Sequence, residues 1–374
     1  MHFMKIGILT FHYMINQGSV LQAYCVYNIL KEKYPSAEVE IIDLIPKNRG
    51  DNEKNYKKNS PPFIRFDALA RFRSMGRFWN KRVRFSPKNE SMQLSEQIKF
   101  INDQGYDAIF TGSDTVWMDS DKFDHVLPHI YFLPTGIKAK KYAIAASADP
   151  LKDIEPYIKK SDELRETLTG FESVLLRDKL TFELMEKLEI PNIKQICDPT
   201  LLFPFEKSLK IRVEKDKPIE KKKIHIHLGN KKAKKIIKTL LEETGKFEFV
   251  EFNEKSGLFS GDHIVDYLNE YADIQILITD RFHRSIFALK LSKALVINIE
   301  HFEKNPTPNS KGRDLFTKLG MPQFCLRYEK SGEAELINEI LNLISEWDED
   351  LFLIRNKNLG LFIAQNQQVW NEIK

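Results

Sequence analysis

Short apolar runs recur along this chain at intervals that leave room for about one helix each, and this spacing limits the fold more than any single motif. KIGILTF (residues 5–11), VEIID (39–43), YDAIFTG (106–112), KYAIAAS (141–147), SVLLR (173–177) and IKQICD (193–198) lie in the first half. KIHIHLG (223–229), FEFVEF (247–252), IQILIT (274–279) and ALVINI (294–299) lie in the second. Unbroken apolar runs of this length are the mark of strands buried on both faces of a parallel sheet. Between them stand segments of helical period, such as SVLQAYCVYNILKEKY, DKLTFELMEKLE and NKKAKKIIKTLLEETG. Alternating strand and helix predicts an α/β chain of doubly wound, Rossmann-like domains.

The 374 residues exceed what one core usually serves, so two domains are expected. The boundaries read as a first domain over 1–205, a charged linker over 206–222, a second domain over 223–347, and a terminal helix over 348–374 that returns to brace the first domain. A net charge of +4 does not by itself call for nucleic acid. No run of 18 apolar residues spans a membrane, and the opening MHFMKIGILTF lacks the pattern of a secretory signal. Cys25, Cys197 and Cys325 are scattered and odd in number, against both a disulfide framework and a zinc cluster. A cytoplasmic protein is expected.

One stretch departs from the rest. Residues 47–88 hold 13 Lys or Arg against 3 Asp or Glu, inside a basic insertion over 47–90. Within it Leu69, Phe72, Met75, Trp79 and Val83 fall at helical spacing among arginines. A basic amphipathic helix suits an anionic membrane surface, so peripheral membrane contact through 65–85 is one expectation. The other is that the aromatics pack on the first domain. Single-stranded nucleic acid is set aside because no recognised motif accompanies the basic residues.

Chemistry is expected where strands give way to helices, since ligands of open α/β sheets bind at the carboxyl ends of strands. Asn16, Gly18 and Gln22 follow the first strand, at a helix N-terminus suited to an anion. His12, in the same turn, reads as a satisfied loop histidine sooner than as a ligand-facing one. Gly112, Ser113, Asp114 and Trp117 follow another strand. A helix cap accounts for Ser113 and Asp114, and so does a carboxylate base beside a substrate hydroxyl. Arg177 ends a strand with Asp178 at the next cap, and Asp198 with Pro199 follows the last strand of the half. In the second half, Gly229, Asn230, Lys231 and Lys232 resemble a phosphate-binding turn without P-loop spacing. Arg281 and His283 stand in DRFH, after IQILIT. The guanidinium offers a planar fork for carboxylate or phosphate, and the imidazole can move a proton near neutral pH. No HExxH or Cys/His cluster points to a metal.

Taken in order, five of these segments resemble the polysaccharide pyruvyl transferase family over about residues 4–320. KIGILTFHYMINQGSVLQAYCVYNILKEK is similar to its opening, GSDTVW to its Gly-Ser-Asp-Gln-x-Trp motif, and LLRDKLTFELMEKL with CDPTLLF to its Arg and Asp-Pro-Thr pair. ITDRFHRSIFAL is similar to its Arg-x-His signature and NSKGRDLFTKLGM to its closing lysine segment. The resemblance implies two Rossmann-like domains facing across a cleft, as in GT-B glycosyltransferases. It implies transfer of the pyruvyl group from phosphoenolpyruvate to a sugar hydroxyl of a cell-surface polysaccharide precursor, forming a ketal, with no cofactor beyond that co-substrate. His283 becomes the general acid and Asp114 the base or an acceptor ligand. Arg177, Arg281, Asn230, Lys231, Arg284 and Lys311 fall on the donor side. Asn16, Gly18, Gln22, Gly112, Ser113 and Trp117 fall on the acceptor side, where a lipid-linked glycan would place the enzyme at the inner face of the cell membrane. Arg284 departs from the small residue usual after the histidine, Thr115 from Gln and Met118 from Asn, which bears on the acceptor. Two other functions fit the same architecture. One is a glycosyltransferase using a nucleotide sugar, for which Glu300 is the candidate ribose ligand. The other is a non-catalytic glycan-binding relative.

Overall fold

The computed structural model describes residues 3–14, 16–45, 62–90, 93–119, 126–149, 151, 153–253, 261–301, 310–328 and 332–373; of 62–68 and 301 it describes the backbone. Two compact units emerge. One comprises Met1–Phe203 with Leu258–Asp262 and Val369–Lys374, the other Pro204–Gly257 with His263–Gln368.

The first unit is built on a six-stranded parallel sheet of β1 (Lys5–Leu9), β2 (Glu38–Ile41), β3 (Ala108–Asp114), β4 (Lys140–Ala146), β5 (Phe171–Leu176) and β6 (Ile193–Gln195), in the order β2-β1-β3-β4-β5-β6. Register follows the apolar pattern. Ile6 faces Ala108 and Ile8 faces Phe110, and all four side chains are buried. Each such isoleucine contributes about 1.5–3 kcal/mol on removal from water. The first helix, Gln17–Lys33, buries residues on nearly every side, from Val20 and Leu21 to Ile29 and Leu30.

The second unit carries β7 (Lys223–His227), β8 (Glu248–Phe249), β9 (Ile276–Thr279), β10 (Leu295–His301) and β11 (Cys325–Tyr328), all parallel, in the order β11-β10-β9-β7-β8. Its helix Lys231–Glu242 shows the opposite burial, with only Ala233, Ile237 and Leu241 inside, one stripe at helical spacing. The fold is therefore α/β, with two doubly wound units.

The charged stretch read as a linker is packed into the second unit. Just before it Phe205 is fully buried against Phe287, with ring centroids 6.0 Å apart, and within it Glu206 pairs with Lys290 at 3.1 Å. Lys215 Nζ donates to Asn356 Oδ1 at 3.0 Å. Burial, with Arg355 nearby, lowers the Lys215 ammonium to about 8. The final helix, Glu349–Asn371, lies mostly in the second unit. At its end Lys33 Nζ donates to Trp370 O at 2.9 Å within the first.

Residues 47–61 of the basic insertion lie outside the described residues. In the helix Pro62–Asn80 that follows, the C-terminal part of the apolar stripe meets protein. Met75, Phe78 and Trp79 are buried, Phe78 against Tyr24 at 5.5 Å and Trp79 against Phe85 at 5.9 Å. Arg82 pairs with Asp262 and Arg84 with Glu38. Of the stripe expected to touch a membrane through 65–85, Met75 and Trp79 are thus covered, while Phe72 and Val83 are half-buried and Leu69 is exposed. No described helix is long and apolar enough to cross a membrane.

Candidate functional site

In both sheets the chain reverses its winding direction beside the first strand, opening a crevice at the carboxyl ends of β1 and β3 in one unit and of β7 and β9 in the other. The sequence motifs fall at these two places.

In the first unit the turns after β1 and β3 are tied together. Thr10 Oγ1 donates to Ser113 O at 3.1 Å, and Ser19 Oγ donates to Asp114 Oδ2 at 2.5 Å. Thr115 N–H donates to Asp114 Oδ1 at 2.8 Å. Gly112 takes φ +110, and a Cβ there would stand 2.2 Å from Ile144 O, so only glycine fits. Ser113 Oγ is wholly buried and has no hydrogen-bond partner among the described residues. Asn16 caps the first helix by accepting Gly18 N–H at 2.8 Å.

An aspartate stands within three residues of the end of every strand from β2 to β6: Asp43, Asp114, Asp149, Asp178 and Asp198. Because the strands are parallel, all five line one edge. His12 is buried among them, Nε2 at 2.9 Å from Asp43 Oδ1 and Nδ1 at 3.2 Å from Thr10 O. Arg177 is buried as well. Its Nη1 donates to Asp198 Oδ2 at 3.1 Å, the oxygen that also accepts Gln22 Nε2 at 2.6 Å. Burial alone would lower the Arg177 pKa. Asp198 first, then Asp114, Asp178 and Asp149, outweigh burial and raise it. Asp178 meanwhile caps the helix Lys179–Lys187 through Thr181 N–H at 2.9 Å.

These contacts change the reading of three residues. Arg177, expected to bind the donor, has its charge engaged by the aspartate edge. Gln22 is fully buried and orients Asp198 from behind. Trp117, expected at the acceptor, is fully buried core: Nε1 donates to Tyr131 O at 3.0 Å and the ring stacks on Phe132 at 5.2 Å.

In the second unit cations replace aspartates. Asn230 Oδ1 accepts Lys232 N–H at 3.0 Å and Ala233 N–H at 3.1 Å, capping Lys231–Glu242 and leaving Lys231 and Lys232 exposed at its start. After β9, Thr279 Oγ1 donates to His227 O at 2.9 Å and accepts Arg281 N–H at 3.0 Å, binding the two turns together. Arg281 precedes the helix Phe282–Leu291 with its side chain 54% exposed. His283 is half-buried between Phe282, at 5.4 Å, and Phe287, at 6.2 Å and nearly parallel. Lys311 Nζ lies 5.8 Å from the Phe282 ring centre. Arg281, His283, Lys311 and the lysines at 231–232 therefore occupy the same edge.

Arg284, expected as a further donor cation, is buried instead over the rings of Phe252 (4.3 Å) and Tyr267 (5.3 Å). Burial lowers the neighbouring His225 to about 4, so that ring is neutral near pH 7. Glu300 is buried with both oxygens taken, one by Ser310 Oγ and the other by Arg313 Nε at 2.7 Å. Sequence reasoning passed over Ser19, Asp149, Thr279 and Asp280; the aspartate closing each strand was the available signal for the first edge. No group of three or more His, Cys, Asp or Glu among the described residues is placed to hold a metal.

Solved structures with the same architecture include a protein described as a UDP-N-acetylglucosamine 2-epimerase from Listeria monocytogenes. It is 10% identical with TM-score 0.51, covering 96% of this chain and 91% of that one. The UDP-GlcNAc 2-epimerase of Neisseria meningitidis, bound to UDP-GlcNAc, is 11% identical with TM-score 0.51, covering 99% of each chain. At such identity the likeness is one of fold. No curated protein matches the chain. The family model of the polysaccharide pyruvyl transferases matches residues 16–297, taking in the Asn16 cap, the Gly-Ser-Asp turn, the Arg177 strand end and the Arg281–His283 turn. With that match spanning well over half its length, the chain belongs to the polysaccharide pyruvyl transferase family.

Proposed function

We propose that this protein transfers the pyruvyl group of phosphoenolpyruvate to a sugar in a cell-surface polysaccharide precursor, forming a pyruvate ketal. The observation that carries the reading is the division of charge between the two crevices. The second unit offers Arg281, Lys311, Lys231 and the capped helix start at Asn230, suited to a donor bearing a phosphate and a carboxylate. The first offers Asp114 and Asp43, the two aspartates of its edge that are not buried, to accept hydrogen bonds from sugar hydroxyls.

In the reaction His283 gives a proton to the methylene carbon of phosphoenolpyruvate, which becomes the methyl group. Carbon 2, now electron-poor, is attacked by a sugar hydroxyl oxygen whose proton passes to Asp114. Attack by a second hydroxyl of the same sugar forms the other C–O bond as the bond from carbon 2 to the phosphate oxygen breaks, and that hydroxyl's proton leaves with the departing phosphate as hydrogen phosphate. Ser19 keeps Asp114 in place, while Arg177 and Gln22 hold Asp198. Arg281 and Lys311 meet the donor; Arg284 supports the His283 turn from beneath. A lipid-linked precursor at the cytoplasmic face of the membrane is the acceptor form we assign.

The nucleotide-sugar reading loses its ribose ligand, because both Glu300 oxygens are engaged inside the second unit. Calorimetric titration of the whole protein with phosphoenolpyruvate and, separately, with UDP-GlcNAc tests the choice. Binding of phosphoenolpyruvate alone is expected. Binding of the nucleotide sugar without phosphoenolpyruvate would overturn it.

A further inference from the structure

Between the two turns of the second unit lies a carboxylate for which the reaction above has no chemical use. Asp280 is nine-tenths buried, whereas Arg281 beside it is more than half exposed. Asp280 Oδ2 accepts Gly229 N–H from the neighbouring turn at 2.8 Å, and Oδ1 lies 3.1 Å from Arg281 Nε. One side chain thus accepts a hydrogen bond from the backbone after β7 and pairs in charge with the guanidinium after β9.

The pairing has a geometric consequence. Nε stands beside Asp280 Oδ1 as an ion pair rather than a hydrogen bond, and the end of the guanidinium carrying Nη1 and Nη2 remains for another partner. Nη2 lies directly over Gly229: a Cβ at that glycine would stand 2.4 Å from Nη2, 3.1 Å from Cζ and 3.3 Å from Asp280 Oδ2. Any side chain at this position would push the guanidinium off the backbone on which it rests. An arginine on the surface otherwise samples many rotamers and must give up that freedom when it binds. Here the freedom is already restricted.

We propose that Asp280 is the positioning residue of the anion crevice. It pins Arg281 over Gly229 so that the Nη1–Nη2 end meets an oxyanion two-pronged, next to the start of the helix Lys231–Glu242. On the donor reading proposed above, that oxyanion belongs to phosphoenolpyruvate. A carboxylate beside an anion site repels the ligand by simple charge, so its net benefit comes from preorganisation, and this makes the idea sharply testable.

The test is a double-mutant cycle on the whole protein: wild type, D280A, R281A and the double variant, titrated at low salt with phosphoenolpyruvate and with inorganic phosphate. D280A is expected to weaken binding about tenfold when Arg281 is present and less than about twofold when it is absent, as coupling through a shared contact requires. G229A, which drives a methyl group into Nη2, is expected to reproduce the loss. Unchanged or tighter binding by D280A, or an equal loss in both backgrounds, overturns the proposal. Should D280A fail to fold, D280N keeps an oxygen for Gly229 N–H and is expected to show a smaller loss, again only with Arg281 present; a loss that persists without Arg281 overturns it. A wild type that binds phosphate with this coupling but ignores phosphoenolpyruvate leaves the positioning role intact and removes the donor reading. Binding of neither ligand removes both.

Discussion

Arg177 Nη1 and Asp198 Oδ2 form an ion pair at 3.1 Å in which both side chains are shut off from water. Asp198 also accepts from Gln22 and from Thr200 N–H and Oγ1, so the pair joins β5, the first helix and the turn after β6. Removing one partner of such a pair strands the other charge. Arg177→Ala is expected to cost about 3–5 kcal/mol of stability in urea unfolding. A loss below about 1 kcal/mol would show the pair to be dispensable and return Arg177 to the ligand.

Asp114 is held by Ser19 and by its own following amide. Asp114→Asn is expected to slow transfer by about 10²–10⁴ with phosphoenolpyruvate affinity unchanged, because an amide cannot take the hydroxyl proton. Ser19→Ala, which removes one hydrogen bond to a charged group, is expected to cost about tenfold. Steady-state rates against acceptor concentration distinguish the two.

His283→Ala is expected to lower the transfer rate by about 10²–10⁴ while leaving the thermal midpoint close to wild type, since a half-buried ring on a helix start contributes mainly to chemistry. Near wild-type turnover would make this histidine a packing residue between Phe282 and Phe287.

At Gly112 the backbone itself is at stake. Gly112→Ala brings a methyl group to 2.2 Å from Ile144 O at φ +110, so β3 and β4 cannot keep their register there. A loss of about 2 kcal/mol or more is expected, together with displacement of Asp114. A variant that melts at the wild-type temperature with full activity would contradict this.

His225 links stability to pH. Its folded pKa lies near 4, below the ordinary value of 6.5, mainly because burial disfavours the charged ring. A depressed folded pKa means the unfolded chain binds the extra proton first. The stabilisation is therefore complete above about pH 6.5 and is lost as pH falls toward 4. Urea unfolding at intervals across that window is expected to show a decline that His225→Gln flattens. An unchanged slope in the variant would exclude His225 as a source.

The alternation of ten apolar runs with helical segments was legible in the sequence because a strand buried on both faces has to be apolar along its length. The cap at Asp178 and the helix starts at Asn16 and Asn230 were legible for a similar reason: each capping side chain serves an amide two or three residues away, so the interaction is local, whereas Ser113 and Asp114, read as a cap, lie at the end of β3. The strand β11, CLRY, escaped notice because it is four residues long with an arginine among them, and its pairing with β10 comes from residues 27 positions earlier in the chain. What only the tertiary structure decided is which way each strand-end side chain turns. Arg177 finds Asp198 at a separation of 21 residues, Gln22 reaches the same carboxylate across 176, and Arg284 lies over the ring of Phe252. Trp117 turns inward because Tyr131 O awaits its N–H. A charge goes inside when distant segments supply its counter-charge or an aromatic face, and those partners are brought together by folding rather than by proximity in sequence.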